Sequence, residues 1–252
     1  VNLLWNSLLP KAGFLCDISQ TNWSFKMMAP ALDFLNLLLE SEVLRFGSFM
    51  TKSGRKSPYF FNTGNIDSGF RLGRAGDIYA AAVLKEFGPG VTNLFGPAYK
   101  GIPLAAVISD RLAQKLGRDV TFTYNRKEKK DHGEGGNLVG HPYSQSKPSL
   151  DQVVIVEDVL TGGTSLRETM VLMKSLNINV IGALVGVDRQ EKGLGTLSAR
   201  AEIEQDFQIP VRSILNMDQV ISSLHNHKVL GKVWIDDQAY QSILDYRDQF
   251  SV

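Results

Sequence analysis

The feature that most constrains the fold lies at residues 153–165, V-V-I-V-E-D-V-L-T-G-G-T-S. Val153, Val154, Ile155 and Val156 make a short continuous apolar run, as a strand buried on both faces requires. The run ends at the acids Glu157 and Asp158. Val159 and Leu160 lead into Thr161-Gly162-Gly163-Thr164-Ser165, and residues 166–176 then carry apolar side chains at helical spacing. A glycine-rich turn between a strand and a helix N-terminus is an anion site in physical terms. Glycine permits the sharp turn, successive N–H groups converge, and the positive end of the helix dipole favours negative charge. The hydroxyls of Thr161, Thr164 and Ser165 add donors. The acids set a further condition, because a carboxylate repels phosphate. A ligand carrying vicinal hydroxyls and a divalent cation beside its phosphate satisfies it, and ribose 5-phosphate is such a ligand. The nucleotide-binding patterns G-x-x-x-x-G-K-[ST] and G-x-G-x-x-G after a strand do not occur. The competing reading is an ordinary strand-to-helix turn with solvated acids.

The rest of the chain is organised as alternating strands and helices. The spacing predicts helices over 31–44, 71–87 and 104–116 and strands over 91–95 and 120–124. This is an α/β pattern with a doubly wound, mostly parallel sheet flanked by helices. The 252 residues, 43% apolar, suit one domain with a small appendage. Residues 1–27 mix Trp5, Trp23, Cys16 and Pro10 without a sustained period and read as an appended segment, with a transported leader as the alternative. Residues 28–252 are then a single domain. Its first part, 28–70, reads as a small hood of one helix and two short antiparallel strands, with a basic turn containing Lys52 and the aromatic strand Tyr59-Phe60-Phe61-Asn62. A flat heterocycle could lie on Phe60 or Phe61, and plain packing against the neighbouring helix explains either residue as well.

Gly96-Pro97-Ala98-Tyr99-Lys100-Gly101-Ile102-Pro103 again takes a strand through a punctuated turn into a helix. That places Lys100 at the carboxyl end of a strand, where open α/β sheets hold their ligands. Residues 125–140, N-R-K-E-K-K-D-H-G-E-G-G-N-L-V-G, put four cations within five residues. Glycines then deny the segment a stable helix. It reads as a flexible catalytic loop that carries Arg126, Lys127, Lys130 and His132 over a polyphosphate, neutralising a departing diphosphate and excluding water. A nucleic-acid patch ranks lower, because aromatic residues are absent from the run and the net charge is only +1. The single cysteine, Cys16, excludes a disulfide framework and points to a reducing cytoplasm. No stretch approaches the ~18 continuous apolar residues that span a bilayer.

The 153–165 stretch resembles the phosphoribosyl-diphosphate (PRPP) motif of type I phosphoribosyltransferases. With Lys52, Y-F-F-N, F-G-P-A-Y-K-G-I-P, the 125–140 segment and Val187-Asp188-Arg189-Gln190-Glu191, the chain is similar to the orotate phosphoribosyltransferases of the bacterial single-function type. The resemblance implies transfer of ribose 5-phosphate from PRPP to orotate in pyrimidine biosynthesis, with Mg²⁺ carried mainly by PRPP, near Glu157 and Asp158, and no direct protein metal site. It also implies a homodimer whose flap closes over the neighbouring site, with no nucleic-acid or membrane partner. By that resemblance Lys100, Lys130, His132 and Asp158 are catalytic. PRPP is held by Lys52, Tyr99, Lys100, Arg126, Lys127, Lys130 and His132 together with Glu157, Asp158, Val159, Leu160, Thr161, Gly162, Gly163, Thr164 and Ser165. Orotate meets Phe60, Phe61, Thr161 and Arg189. A non-proline cis peptide at Ala98–Tyr99 is implied too. Glu157 stands where several relatives have Asp, and Gly163 where many have Ala; both keep the charge or the small size, so little effect is expected. The rival activities are a purine or uracil phosphoribosyltransferase, a catalytically idle PRPP sensor and a ribose-phosphate diphosphokinase.

Overall fold

The computed structural model describes residues 29–50, 54, 56–127, 138–143 and 150–252. The chain begins there with helix α1 (Ala29–Glu40), an antiparallel hairpin β1 (Leu44–Met50) and β2 (Lys56–Phe61), and the long helix α2 (Gly69–Phe87). It continues as β3 (Asn93–Phe95), α3 (Gly101–Leu116), β4 (Thr121–Asn125), β5 (Leu138–Gly140), β6 (Val153–Leu160), α4 (Thr164–Ser175) and β7 (Val180–Asp188). The last part is α5 (Ala199–Phe207), β8 (Val211–Asn216), α6 (Met217–Leu224), a minimal hairpin β9 (Lys228–Val229) and β10 (Lys232–Val233), and α7 (Asp237–Phe250).

Among the described residues, six strands form the main sheet in the order β5-β4-β3-β6-β7-β8, parallel except for the edge strand β5. The alternation of side chains along each strand explains why both faces are covered. On β6, Val153 and Ile155 pack with Leu166, Met170 and Met173 of α4 and with Ile203 of α5. Val154 and Val156 join the opposite core, which holds Leu35 and Leu38 of α1, Ile78 and Val83 of α2 and Ile108 of α3. An apolar run with no polar face is stable only when sandwiched in this way. Because β4 lies on one side of β3 and β6 on the other, the strand order reverses there. A crevice therefore opens outside the carboxyl ends of β3 and β6, at the topological switch point.

Several boundaries differ from the sequence reading. Strand β6 continues through both acids to Leu160, because Glu157, Val159 and Leu160 pair with Val185, Val187 and Asp188 of β7. Helix α5 starts only at Ala199, after the cap Ser198, although residues 195–198 before it contain no proline. Glu202 captures the N–H groups of Leu194 and Gly195 at 2.8 and 2.7 Å, which holds that stretch as a loop. The hood shares the main core. Its hairpin is a sheet of its own, yet Phe34, Tyr59 and Phe61 belong to the same core as Leu94 and Val154.

Candidate active site

Two turns meet at the switch point, and each is shaped by close backbone approach. A Cβ on Gly96 would lie 2.1 Å from the carbonyl oxygen of Gly101, so the turn after β3 folds back on itself only with hydrogen at that position. The Ala98–Tyr99 peptide in this turn is cis, as the resemblance implies. Asn125, the last residue of β4, accepts the Ala98 N–H through Oδ1 at 2.9 Å. Tyr99 and Lys100 project outward, and Lys127 Nζ stands 5.0 Å from the centre of the Tyr99 ring. Arg126 is half-buried beside it in sequence.

The second turn follows β6. Gly163 has a left-handed φ of 78°, and a Cβ there would sit 2.7 Å from Ile203 Cδ1. Alanine is therefore not a neutral exchange in this chain, because Ile203 would have to give way. Thr161, Thr164 and Ser165 are exposed at the mouth of α4, and Gly162 is half-buried. Helices α2, α5, α6 and α7 have side-chain caps from Ser68, Ser198, Asn216 and Asp236, whereas α3 and α4 have none. Among the α-helices whose cap residue is described, these two are the ones that open on this crevice; α4 leaves its first-turn N–H groups available to an anion, whereas in α3 Gly101 and Ile102 donate to Pro97 O and Tyr99 O and Pro103 has no N–H.

The acids do not stand side by side. Strand pleating sends Glu157 and Asp158 to opposite faces of the sheet. Asp158 lines a cavity of about 240 Å³ together with Phe61, Thr63, Tyr79, Lys100 and Val159. Its Oδ2 accepts from Thr63 Oγ1 and lies 3.4 Å from Lys100 Nζ, while Oδ1 accepts the Val159 N–H at 2.9 Å. The Lys100–Asp158 pair joins the two turns directly. Glu157 is buried on the other face, accepts from Ser165 Oγ, and has its backbone carbonyl held by Tyr79 OH at 3.1 Å. Burial pushes the Glu157 carboxyl up to about 7; the Ser165 hydroxyl opposes this and the Asp158 charge adds to it. An acid this close to an anion cradle is tolerable because near neutrality much of it is uncharged. Leu160 is sealed in the core beside α4, so only its backbone is available, and its carbonyl accepts the Arg189 N–H at 3.1 Å.

The residues expected to meet the acceptor base are not gathered in one place. Phe61 points into the core and lines the cavity, whereas Phe60 faces the other side of β2 and stacks on Phe49 at 5.5 Å. The strand period separates them, so one flat ligand cannot rest on both rings. Arg189 is buried and turned towards β2 and α7; it pairs with Glu191 at 2.6 Å rather than with Asp188, and its guanidinium lies over the Tyr59 ring. Lys52, Lys130 and His132, and with them most of the expected flexible loop, lie outside the described residues. Sequence reasoning gave no role to Thr63, Tyr79 and Asn125. Only Asn125 carried a signal, its position at the end of a strand beside the site. No group of three or more potential metal ligands from His, Cys, Asp and Glu occurs among the described residues.

A model of the phosphoribosyl transferase domain matches residues 63–198, which include both turns. The chain is 47% identical over 216 residues to an orotate phosphoribosyltransferase of Pseudomonas aeruginosa, covering 86% of this chain and 98% of that protein. It is 44% identical over 225 residues to one of Clostridium beijerinckii, with coverages of 89% and 99%. Among solved structures, an orotate phosphoribosyltransferase of Francisella tularensis superimposes with a TM-score of 0.70 at 35% identity, over 87% of this chain and 99% of that one. Similarity of this extent, continuous through both turns at the sheet's switch point, means that the chain belongs to the orotate phosphoribosyltransferase family.

Proposed function

We propose that this chain transfers ribose 5-phosphate from PRPP to the N1 nitrogen of orotate, giving orotidine 5′-monophosphate and diphosphate. The observation that carries the reading is the convergence of the two turns. The β3 turn brings Lys100 to within 3.4 Å of Asp158 at the end of β6, so a ligand with a 5-phosphate on one side and a diphosphate on the other spans both. The 5-phosphate would take the first-turn N–H groups of α4 and the hydroxyls of Thr161, Thr164 and Ser165. Asp158 faces the ribose hydroxyls from the cavity, and Lys100, Lys127 and Arg126 face the diphosphate. Bond breaking at the anomeric carbon puts positive character on the sugar and negative charge on the leaving group. Fixed cations at the second and an anion beside the first lower that barrier without reorganisation. Orotate is already an anion, so no strong protein base is needed.

The described side chains suit a divalent ion that arrives on the diphosphate: they offer one or two carboxylates and no protein cage. Mg²⁺ bound in that way would neutralise charge on the leaving diphosphate. In our reading the active form is a homodimer in which the basic segment, with Lys130 and His132, closes over the partner's site, and the enzyme works in the cytoplasm. The deciding experiment follows the loss of orotate absorbance with PRPP and Mg²⁺. Turnover of orotate but not of uracil, hypoxanthine or adenine is expected, and equal turnover of another base would overturn the assignment.

A further inference from the structure

Tyr59, Arg189, Glu191 and Tyr246 form a buried polar cluster that joins β2, the end of β7 and α7, and the family resemblance gives a role to Arg189 alone. Glu191 Oε1 receives Arg189 Nη2 at 2.6 Å and the Tyr246 hydroxyl at 2.9 Å. Arg189 Nη2 also reaches Tyr246 OH at 3.3 Å and Ser57 Oγ at 3.5 Å. The guanidinium carbon lies 4.8 Å from the centre of the Tyr59 ring, which fixes the plane of the group. Burial, and then the Glu191 charge, hold the Tyr246 hydroxyl in its protonated form, so it remains a donor to Glu191. The segment after Arg189 is pinned as well: Glu191 bridges Ser251 in antiparallel fashion, and Lys192 N–H donates to Phe250 O at 2.8 Å.

Two donors in this cluster are left over, the Tyr59 hydroxyl and Arg189 Nε. Arg189 Nε is buried and has no hydrogen-bond partner among the described residues, although Nη2 of the same guanidinium reaches Glu191, Tyr246 and Ser57. A fixed, buried, unanswered N–H calls for an acceptor oxygen from outside the cluster. The backbone N–H of Arg189 donates to Leu160 O, so the residue springs from the strand end beside the Thr161 turn, and its side chain runs from there towards β2 and α7.

We propose that Glu191 and Tyr246 are positioning residues for acceptor recognition: they hold the Arg189 guanidinium at one edge so that its Nε–H edge is presented to an oxygen of the planar, anionic base. The inference rests on the reading that Arg189 meets orotate. It adds that the C-terminal helix, far from the ribose site in sequence, sets base affinity. Arginine can do this because its planar fork is oriented as a unit, whereas lysine would present one rotatable point charge.

The test uses steady-state kinetics of the full chain with orotate and PRPP varied separately. Tyr246→Phe removes the hydroxyl and keeps the ring packed on Tyr59 and Phe250. It should raise the Michaelis constant for orotate at least fivefold, with kcat, the constant for PRPP and the melting temperature nearly unchanged. Glu191→Gln should raise the orotate constant likewise, with a lower melting temperature because the buried guanidinium loses its counter-charge, and Glu191→Asp should recover part of both losses. A lowered melting temperature with normal orotate kinetics in both variants would overturn the proposal and leave the cluster a structural tie. Arg189→Lys separates the two levels. If it leaves the orotate constant unchanged, the reading that Arg189 meets the base has failed. If it raises that constant while Tyr246→Phe and Glu191→Gln do not, only the positioning role has failed.

Discussion

Glu157 offers the sharpest test, because its environment makes a quantitative demand. Its carboxyl ordinarily titrates near 4.5 and is pushed up to about 7 by burial against α4. The folded chain therefore binds more protons than the unfolded chain between these values. By linkage the contribution of this group to stability is greatest below about 4.5, falls as pH rises, and is fully lost above about 7. The gap between 4.5 and about 7 corresponds to roughly 3 kcal/mol, of which about 2.5 kcal/mol falls between about pH 5 and pH 8. Glu157→Gln keeps an acceptor for Ser165 and cannot ionise. Urea unfolding of both proteins across this range should show the stability of the wild type, relative to the variant, declining by that amount. Subtracting the two curves cancels the other titrating groups. Parallel curves would refute the claim that a charge on Glu157 is costly in the fold. Ser165→Ala removes the donor that favours the ionised form, so its transition should move to higher pH.

Gly96→Ala would drive a Cβ into the Gly101 backbone and should cost about 2–3 kcal/mol in urea unfolding; an unchanged midpoint would show that the turn can relax. Asp158→Asn removes the charge facing Lys100, and kcat/KM for PRPP should fall roughly ten- to a hundredfold, with and without excess Mg²⁺. A normal value in that titration would detach Asp158 from the ribose. Lys130→Ala or His132→Ala, both outside the described residues, should lower kcat by about a hundredfold and weaken PRPP binding much less. Unchanged turnover would remove the basic segment from the reaction.

Periodic and local features were legible in the sequence. The apolar run of β6, the glycines of both turns and the strand-to-helix alternation each depend on a few consecutive residues, and all appear in the structure, although the first helix stops at Glu40 rather than 44 and β3 starts at Asn93 rather than 91. The cis peptide at Ala98–Tyr99 came instead from the family resemblance. The two acids were legible as residues but not as a geometry, because the reading ended the strand before them. Continued pairing with β7 carries the pleat through both and parts them, one towards Ser165 and one towards Lys100 and Thr63. The aromatic pair of β2 was divided in the same way.

What the sequence determined by itself is the set of elements and the chemistry offered at their ends: donors and hydroxyls after β6, a lysine after β3, and a sheet that must be covered on both faces. Only the tertiary structure decided which ends meet, since the strand order places β3 beside β6 and leaves Lys100 next to Asp158. It alone turned Arg189 towards Glu191 and Tyr246, more than fifty residues apart in the chain, and it alone lifted the Glu157 carboxyl to about 7. Hydrophobic periodicity is written in neighbouring residues, whereas desolvation and long-range pairing are properties of the packed interior and exist only once distant segments have come together.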